Sequence, residues 1–394
     1  MTIARTYLDY NASAPLRPES REAFVSALDV VGNASSVHAE GRRARAIVER
    51  AREQVARLVN AKPSEIVFTS GATEANNWVL RSGWDRIILS SIEHDSVLVP
   101  TRAQWGQTPH TESRRSNRTA GCEGSNPIHT LPVGLEGVVS VAAIMSLATG
   151  GRTLLALQMA NNETGVVQPV AEAAAIARER GMSVHTDAVQ APGRIAVDFR
   201  ALGVETMSLS SHKIGGPKGA GALVIRDDIN LSPFISGGGQ ERRRRAGTEN
   251  IAAVAGFGAA AAAAGRDAGE ASRMPSLRDK LEREVLRSTP AAVVLGAQSE
   301  RLCNTSCIAL PGLTAETLVI KLDLAGIAVS AGAACSSGKV GPSHVLAAMG
   351  IAPEIARGAI RVSIGHATTE HDIDAFLAAW REIAVSKTRA LKVA

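Results

Sequence analysis

Ser208-Leu-Ser-Ser-His-Lys-Ile-Gly-Gly-Pro-Lys-Gly-Ala-Gly221 is the stretch from which the rest of the chain can be read. An apolar run, Val204–Leu209, leads in, and a second, Gly221–Ile225, leads out. Both have the length and bounding residues of buried strands. Lys213 between them is expected to be desolvated. Desolvation disfavours an ammonium, so the neutral amine becomes a nucleophile toward carbonyls. Two readings stay open from this stretch alone: a Schiff-base lysine, or a loop lysine before a hairpin.

Upstream, short strands alternate with helices. Glu65–Thr69, Arg86–Ser90, Ile128–Val133, Thr153–Met159 and Met182–His185 read as strands. Glu19–Val31, His38–Asn60, Val138–Leu147 and Val170–Arg180 have helical apolar spacing, and Gly181 fits a C-cap. Repeated strand–helix units predict an α/β chain with a mostly parallel sheet and helices on both faces. Polar residues gather just after the strands, where open α/β sheets place ligands. Asp187 follows one strand and needs a cationic partner there. It lies 26 residues before Lys213, about one strand–helix step. Ser70-Gly-Ala-Thr73 joins a strand to the helical run Ala75–Leu80. This is either an anion seat of exposed N–H groups or an ordinary capped helix start. Phe234–Thr248 is Gly-rich and carries Arg242–Arg245, so it reads as a surface loop or an anion cradle.

The C-terminal part reads as a separate α+β unit. Leu277–Arg287, Ala315–Ala325, Val345–Met349 and Glu370–Val385 are its helices. Ala292–Leu295, Thr305–Leu310, Ile327–Ser330 and Ala359–Ile364 are its strands, the last containing Arg361. The charged segment Arg266–Met274 reads as a domain junction. Gln104–Asn126 is a polar surface excursion without apolar periodicity.

With 394 residues, 45% hydrophobic and 21% charged, the chain is globular and large enough for two domains. Aromatics make up 3%, too few for stacking platforms on single-stranded nucleic acid. A net charge of +5 is no nucleic-acid footprint, so direct nucleic-acid binding is not expected. Neither a bilayer-spanning run nor a signal peptide is read from the sequence, and the expected location is the cytoplasm, without membrane contact. The four cysteines are expected as thiols. Cys303 and Cys307 lack further ligands for a zinc set and read as packing residues, and Cys122 as incidental. Cys335, among six small neighbours, is either a small core residue or a reactive thiol on a loop built to move.

A nucleophilic lysine, a strand-end carboxylate and an anion-binding helix start are together the protein side of a pyridoxal phosphate site. The motifs Ser70-Gly-Ala-Thr-Glu-Ala-Asn-Asn77, Glu93-His94, Asn161-Asn-Glu-Thr-Gly165, His185-Thr-Asp-Ala-Val-Gln190, Ser210-Ser-His-Lys213, Arg245-Ala-Gly-Thr248 and Cys335-Ser-Ser-Gly-Lys with Pro342-Ser-His-Val-Leu346 resemble those of NifS/IscS-like cysteine desulfurases. These are class-V aminotransferase-type enzymes of fold type I, and the resemblance runs from Tyr7 to about Asp374. It implies a large domain, 16–262, with a mostly parallel seven-stranded sheet sandwiched by helices. It also implies a smaller α+β domain, 1–15 with 263–394, carrying a cysteine loop at about 330–345. Lys213 would carry the cofactor as an imine and act as general base. Asp187 would pair with the pyridine nitrogen, with Gln190 and Asn162 near the ring oxygen. His94 would stack on the ring and move protons. Ala72, Thr73, Ser210 and His212 would hold the phosphate, joined by Thr248 from the second subunit of a homodimer. Arg361 would clamp the carboxylate of L-cysteine, with Asn33.

By the same resemblance, the Cys335 thiolate would take the substrate sulfur as a persulfide, leaving alanine, and pass it to an acceptor such as an iron–sulfur scaffold. No intrinsic metal is implied, although Cys335 would be placed to ligate a cluster shared transiently with that scaffold. A selenocysteine lyase or aminotransferase on the same fold is the alternative, and a non-catalytic scaffold protein a more remote one. Three departures from the family pattern stand out: the length of the 104–126 excursion, Ala34 in place of proline and Ala333 in place of serine.

Overall fold

In the computed structural model, residues 5–104, 127–147, 150–267, 273–332 and 343–393 are described, with side chains to 385. The excursion beyond Gln104, Cys122, Cys335 and most of the junction around 270 lie outside the described residues.

The strands in chain order are β1 (Thr6–Tyr7), β2 (Ile66–Thr69), β3 (Arg86–Ser90), β4 (Ile128–Leu131), β5 (Thr153–Ala156), β6 (Ser183–Asp187), β7 (Thr206–Ser210), β8 (Gly221–Ile225), β9 (Val293–Leu295), β10 (Thr305–Ala309), β11 (Ile327–Ala328), β12 (Ser330–Ala331) and β13 (Ala359–Ser363). Seven of them form one sheet in the order β2-β8-β7-β6-β5-β3-β4. The run β7-β6-β5-β3-β4 is parallel, and β8 is antiparallel to both of its neighbours. The expected mostly parallel, seven-stranded α/β sheet is therefore present. Strand alternation divides its side chains between two cores. Ile66, Phe68, Ile88, Leu155, Ala222 and Val224 face one apolar cluster, while Val67, Ile87, Leu89, Leu154, Leu223 and Ile225 face another.

The four early helices are α1 (Pro18–Leu28), α2 (Ala39–Leu58), α3 (Ala72–Leu80) and α4 (Asp95–Gln104), of which α3 and α4 contribute residues to the site. The Ala-rich helix Ile251–Asp267 packs against α1 and α2, where its small side chains allow close approach. Trp78 on α3 is 1% exposed and anchors that helix over the sheet, with its indole N–H donating to the Ser232 carbonyl at 2.7 Å. The remaining strands form a four-stranded antiparallel sheet, β12-β13-β10-β9, and the short parallel pair β1-β11. Their core joins Leu8 to residues between Leu277 and Ile383.

Several details differ from the sequence reading. The expected strand Ile327–Ser330 is two short strands in different sheets, split at Val329. The expected helix Val138–Leu147 shrinks to Val141–Met145. The helix α4 has no counterpart in the sequence reading, because Pro100 sits inside it. Gly181 has φ of +70° just past the helix Val170–Glu179, the left-handed position that a C-cap glycine fills.

Candidate active site

Register builds the site. Gly221 on β8 pairs with Thr69 on one side and Ser210 on the other, so the turns after β2 and β7 lie side by side. A Cβ at Gly221 would stand 2.6 Å from the Cα of Gly71, so only glycine lets these turns meet. Asp187 pairs with Ser208 on the adjoining strand. Asp187 is the last residue of β6 rather than the first beyond it, and the Lys213 turn follows at the same sheet edge.

Above that edge opens a cavity of about 550 Å³. Ala72, Thr73, His94, Asn162, Asp187, Gln190, Ser210, His212, Lys213 and Arg361 all line it. Asn33 and Thr248 do not. The Asn33 side chain accepts from the Ser35 N–H at 2.8 Å in the turn before α2, and Thr248 is exposed. Cys335 lies outside the described residues, but the residues flanking its segment are placed. A Cβ on Gly332 would stand 3.4 Å from Glu163 Oε2, and Ser343 Oγ donates to the same oxygen at 2.5 Å.

Lys213 is half-buried. Its Nζ donates to the carbonyl of Asn11 and, at 3.1 Å, to that of Ala12. Asp187 is 8% exposed, and its Oδ1 accepts from the Val189 N–H at 3.0 Å, its Oδ2 from Asn76 Nδ2 at 2.8 Å. Burial and the neighbouring Lys213 and Lys218 hold His212 down at a pKa of about 4, so it is neutral at physiological pH. Burial likewise lowers the pKa of His94. Arg361 is 1% exposed; its Nη2 donates to Asp9 Oδ1 at 2.7 Å and its Nη1 to the Asn162 carbonyl at 3.2 Å. Asp9 is held in turn by Ser330 Oγ at 2.9 Å. The Nε of Arg361 is buried with no hydrogen-bond partner among the described residues. Burial pushes the Glu163 carboxyl up to about 7, against a hydrogen bond from Ser343 and the charge of Arg361.

Several lining or supporting residues had no role in the sequence reading: Asn11, Ser13, Asn76, Ser96, Gln158 and Lys218. Asn76 carried a signal. It is a polar residue beside Ala75, Trp78 and Val79 on one short helix, and a buried amide must find partners. Asn11 carried none, because its partners Thr305 and Asn304 lie nearly 300 residues away.

The fold and this cavity are those of a class of enzymes. The class-V aminotransferase family model matches residues 6–376, and the chain belongs to that family. Within it, the chain is 42% identical to a cysteine desulfurase of Cereibacter sphaeroides over 95% of its own length and 94% of the relative's. It superposes on the NifS-like protein from Rickettsia africae with a TM-score of 0.84 and 34% identity, covering 96% of this chain and 99% of that one. SspA in complex with cysteine matches with a TM-score of 0.76 and 28% identity, covering 91% and 98%.

Members of this family work with pyridoxal phosphate, and the residues present fit it. Gly71 and Gly219 both line the cavity, and a Cβ built on either would meet no atom within 4 Å. The first-turn N–H groups of α3, with Ser210 and His212, suit a phosphate. Asp187 suits a pyridine nitrogen and Lys213 an aldehyde. Among the described residues no cluster of three or more His, Cys, Asp or Glu is arranged to hold a metal, and no helix is long and apolar enough to cross a membrane.

Proposed function

We propose that this chain removes sulfur from L-cysteine, giving L-alanine and a persulfide on Cys335. The observation that carries this reading is the single cavity shared by Lys213, Asp187, His94 and Arg361, with family relatives that are cysteine desulfurases. When bound there, pyridoxal phosphate supplies a carbonyl for an amine and an electron sink for charge released at the substrate α-carbon. The chain's own residues do the rest. Asp187 keeps a negative charge at one end of the cavity, steadied by Asn76 and the Val189 N–H. Ala72, Thr73, Ser210 and His212 hold a phosphate at the other. Gln190 and Asn162 line the same cavity. Lys213 Nζ leaves the carbonyls of Asn11 and Ala12 and takes the α-proton as general base. Arg361 receives the substrate carboxylate, and its Nε, without a partner among the described residues, adds a donor. Cys335 Sγ bonds to the substrate sulfur as the carbon–sulfur bond breaks, so one thiol and one cysteine become one persulfide and one alanine.

The finer assignments belong to the same reading. Residues 16–262 form the cofactor-holding domain, and 1–15 with 263–394 the smaller one. Two copies pair, and Thr248 reaches the partner's phosphate. Its exposure supports this, as does the loop that carries it, pinned by Arg52–Glu241 and Arg245–Glu74 ion pairs at 2.7 and 2.9 Å. Asn33 acts only from a moved position. The persulfide passes to an acceptor protein, such as an iron–sulfur scaffold, in the cytoplasm.

The deciding experiment incubates the holoenzyme with cysteine and maps sulfur by mass spectrometry. A persulfide on Cys335 and stoichiometric alanine are expected. Full alanine production by Cys335→Ala would instead point to a lyase that does not need this thiol.

A further inference from the structure

Behind the cavity wall, one buried amide sits where three chains of hydrogen bonds meet. Asn76, on α3, is 0% exposed. Its Nδ2 donates to Asp187 Oδ2 and to Ser96 Oγ, both at 2.8 Å. A carboxylate can only accept, so the charge on Asp187 dictates which end of the amide faces it. The Oδ1 end is thereby turned to His185 Nε2 at 3.0 Å. His185 is fully buried and held down at a pKa of about 4 by burial, so it is neutral. Its proton sits on Nε2, and its Nδ1 accepts from Thr206 Oγ1 at 2.9 Å.

The other branch runs toward the cavity. Ser96 Oγ accepts from Asn76, which frees its single hydrogen for His94 Nδ1, 2.8 Å away. The backbone N–H of Ser96 donates to the same nitrogen at 3.1 Å. His94 Nδ1 is therefore an acceptor from two directions, and the proton of the neutral ring sits on Nε2.

We propose that Asn76 is a positioning residue that, through Ser96, holds His94 as the neutral Nε2–H tautomer, so that His94 offers a hydrogen-bond donor in the cavity instead of accepting a proton there. The proposal rests on the desulfurase reading only in taking His94 to face the reacting substrate. A protonated Nδ1 would oppose the Ser96 N–H, and burial of the ring acts in the same direction. The charged and titratable groups around His94 are Asp187, Lys213, Asp95 and His344. Asp187 and Asp95 favour the imidazolium, whereas Lys213 and His344 oppose it. Proton removal from the substrate then falls to Lys213 Nζ.

The test is nitrogen NMR on holoenzyme labelled with 15N-histidine, with His94 assigned by the signal lost in His94→Gln. From about pH 6 to 9, His94 is expected to show an unprotonated Nδ1 and a protonated Nε2. Asn76→Ala is expected to mix the tautomers and move the His94 pKa back up toward its ordinary value. Ser96→Ala breaks the same link without opening a large cavity, and guards against a misfolded Asn76→Ala. It should give the same loosening. An Nδ1–H tautomer in the parent protein, or an unchanged Nε2–H tautomer in both variants, would overturn the proposal. The spectrum reads the ring and not turnover, so an inactive parent protein and a misassigned tautomer are separate results.

Discussion

Arg52 and Arg361 are buried to nearly the same degree, 3% and 1% exposed, yet they are satisfied in opposite ways. Arg52 is saturated. Its Nη1 and Nη2 grip Glu241 at 2.7 and 2.8 Å, Nη1 also donates to the Ile66 carbonyl at 2.8 Å, and Nε meets Glu49 at 3.2 Å. The guanidinium also lies over the Phe68 ring, 4.9 Å from its centroid. Glu241 in turn accepts from the Phe68 N–H at 2.9 Å. This clasp fixes Glu241, Arg242 and Arg243, all with φ between +44° and +66°, a run that non-glycine residues rarely adopt. Arg361 has, among the described residues, one carboxylate, one carbonyl and an unpartnered Nε. A buried donor left unpaired costs about 1–3 kcal/mol, which a fold retains where a ligand will take the bond. One arginine closes a structure; the other leaves a place in it.

The sharpest way to break this contrast is Arg52→Ala. It strands the Glu241 carboxylate in the interior, at a cost of about 3–5 kcal/mol. Thermal unfolding should show a lowered midpoint, while kcat/KM of the protein that remains folded changes little. A variant with normal stability and no turnover would assign Arg52 to the chemistry and erase the distinction. Arg361→Ala should do the reverse. It is expected to lower kcat/KM for cysteine by about a thousandfold, or about 4 kcal/mol, with cofactor absorbance retained. Unchanged steady-state kinetics would remove Arg361 from the substrate.

A smaller effect concerns Glu163, which feels the Arg361 charge. Its folded pKa of about 7 lies above the unfolded value near 4.5. Between these values the folded chain holds a proton that the unfolded chain has lost, so stability falls as pH rises from about 4.5 to 7 and stays reduced above. Glu163→Gln removes that slope. Relative to the parent, it should gain up to roughly 3 kcal/mol between about pH 5 and 8, seen as a converging pair of midpoint–pH curves at the acid end. Parallel curves would place an ionised Glu163 in the fold. The smallest expected change is Ser330→Ala. Loss of its hydrogen bond to Asp9 should loosen the Arg361 clamp by about 1 kcal/mol, raising KM a few-fold with kcat unchanged. A fall in kcat alone would contradict that support role.

Much of the fold was legible because its signals are local. Ile-Val-Phe-Thr at 66–69 and Gly-Ala-Leu-Val-Ile at 221–225 are apolar runs of strand length, and Gly181 stops its helix by a property of glycine. The direction of β8 was not legible. Ten residues separate β7 from β8, and only pairing with β2 and β7 shows that the chain turns back. The Lys213 loop thus does precede an antiparallel partner, as the plainer sequence reading allowed. Cavity-lining residues that sit in their own motif, such as Ala72, Thr73, Ser210 and His212, could be named in advance. Residues that act through others could not. Asp9 matters through Arg361, Ser96 through His94, and no spacing along the chain encodes those pairings.

The segment Leu8–Ser13 touches everything: Leu8 in the smaller core, Asp9 on Arg361, and Asn11 and Ala12 on the Lys213 amine. Its backbone is secured by Ser363, through the bonds Tyr10 N–H to Ser363 O at 3.1 Å and Asn11 N–H to Ser363 Oγ at 3.0 Å. On a ribosome these residues emerge some 350 positions before their partners. The large sheet has its strands long before then, since domains tend to fold as they are made. The acceptors of the lysine amine are tied to β13 and also to the large sheet, where Gln190 Nε2 donates to the Asn11 carbonyl at 3.1 Å and the Ala14 N–H to the His212 carbonyl at 2.9 Å. Residues near the two ends of the chain thus settle where a nucleophile encoded in its middle comes to rest.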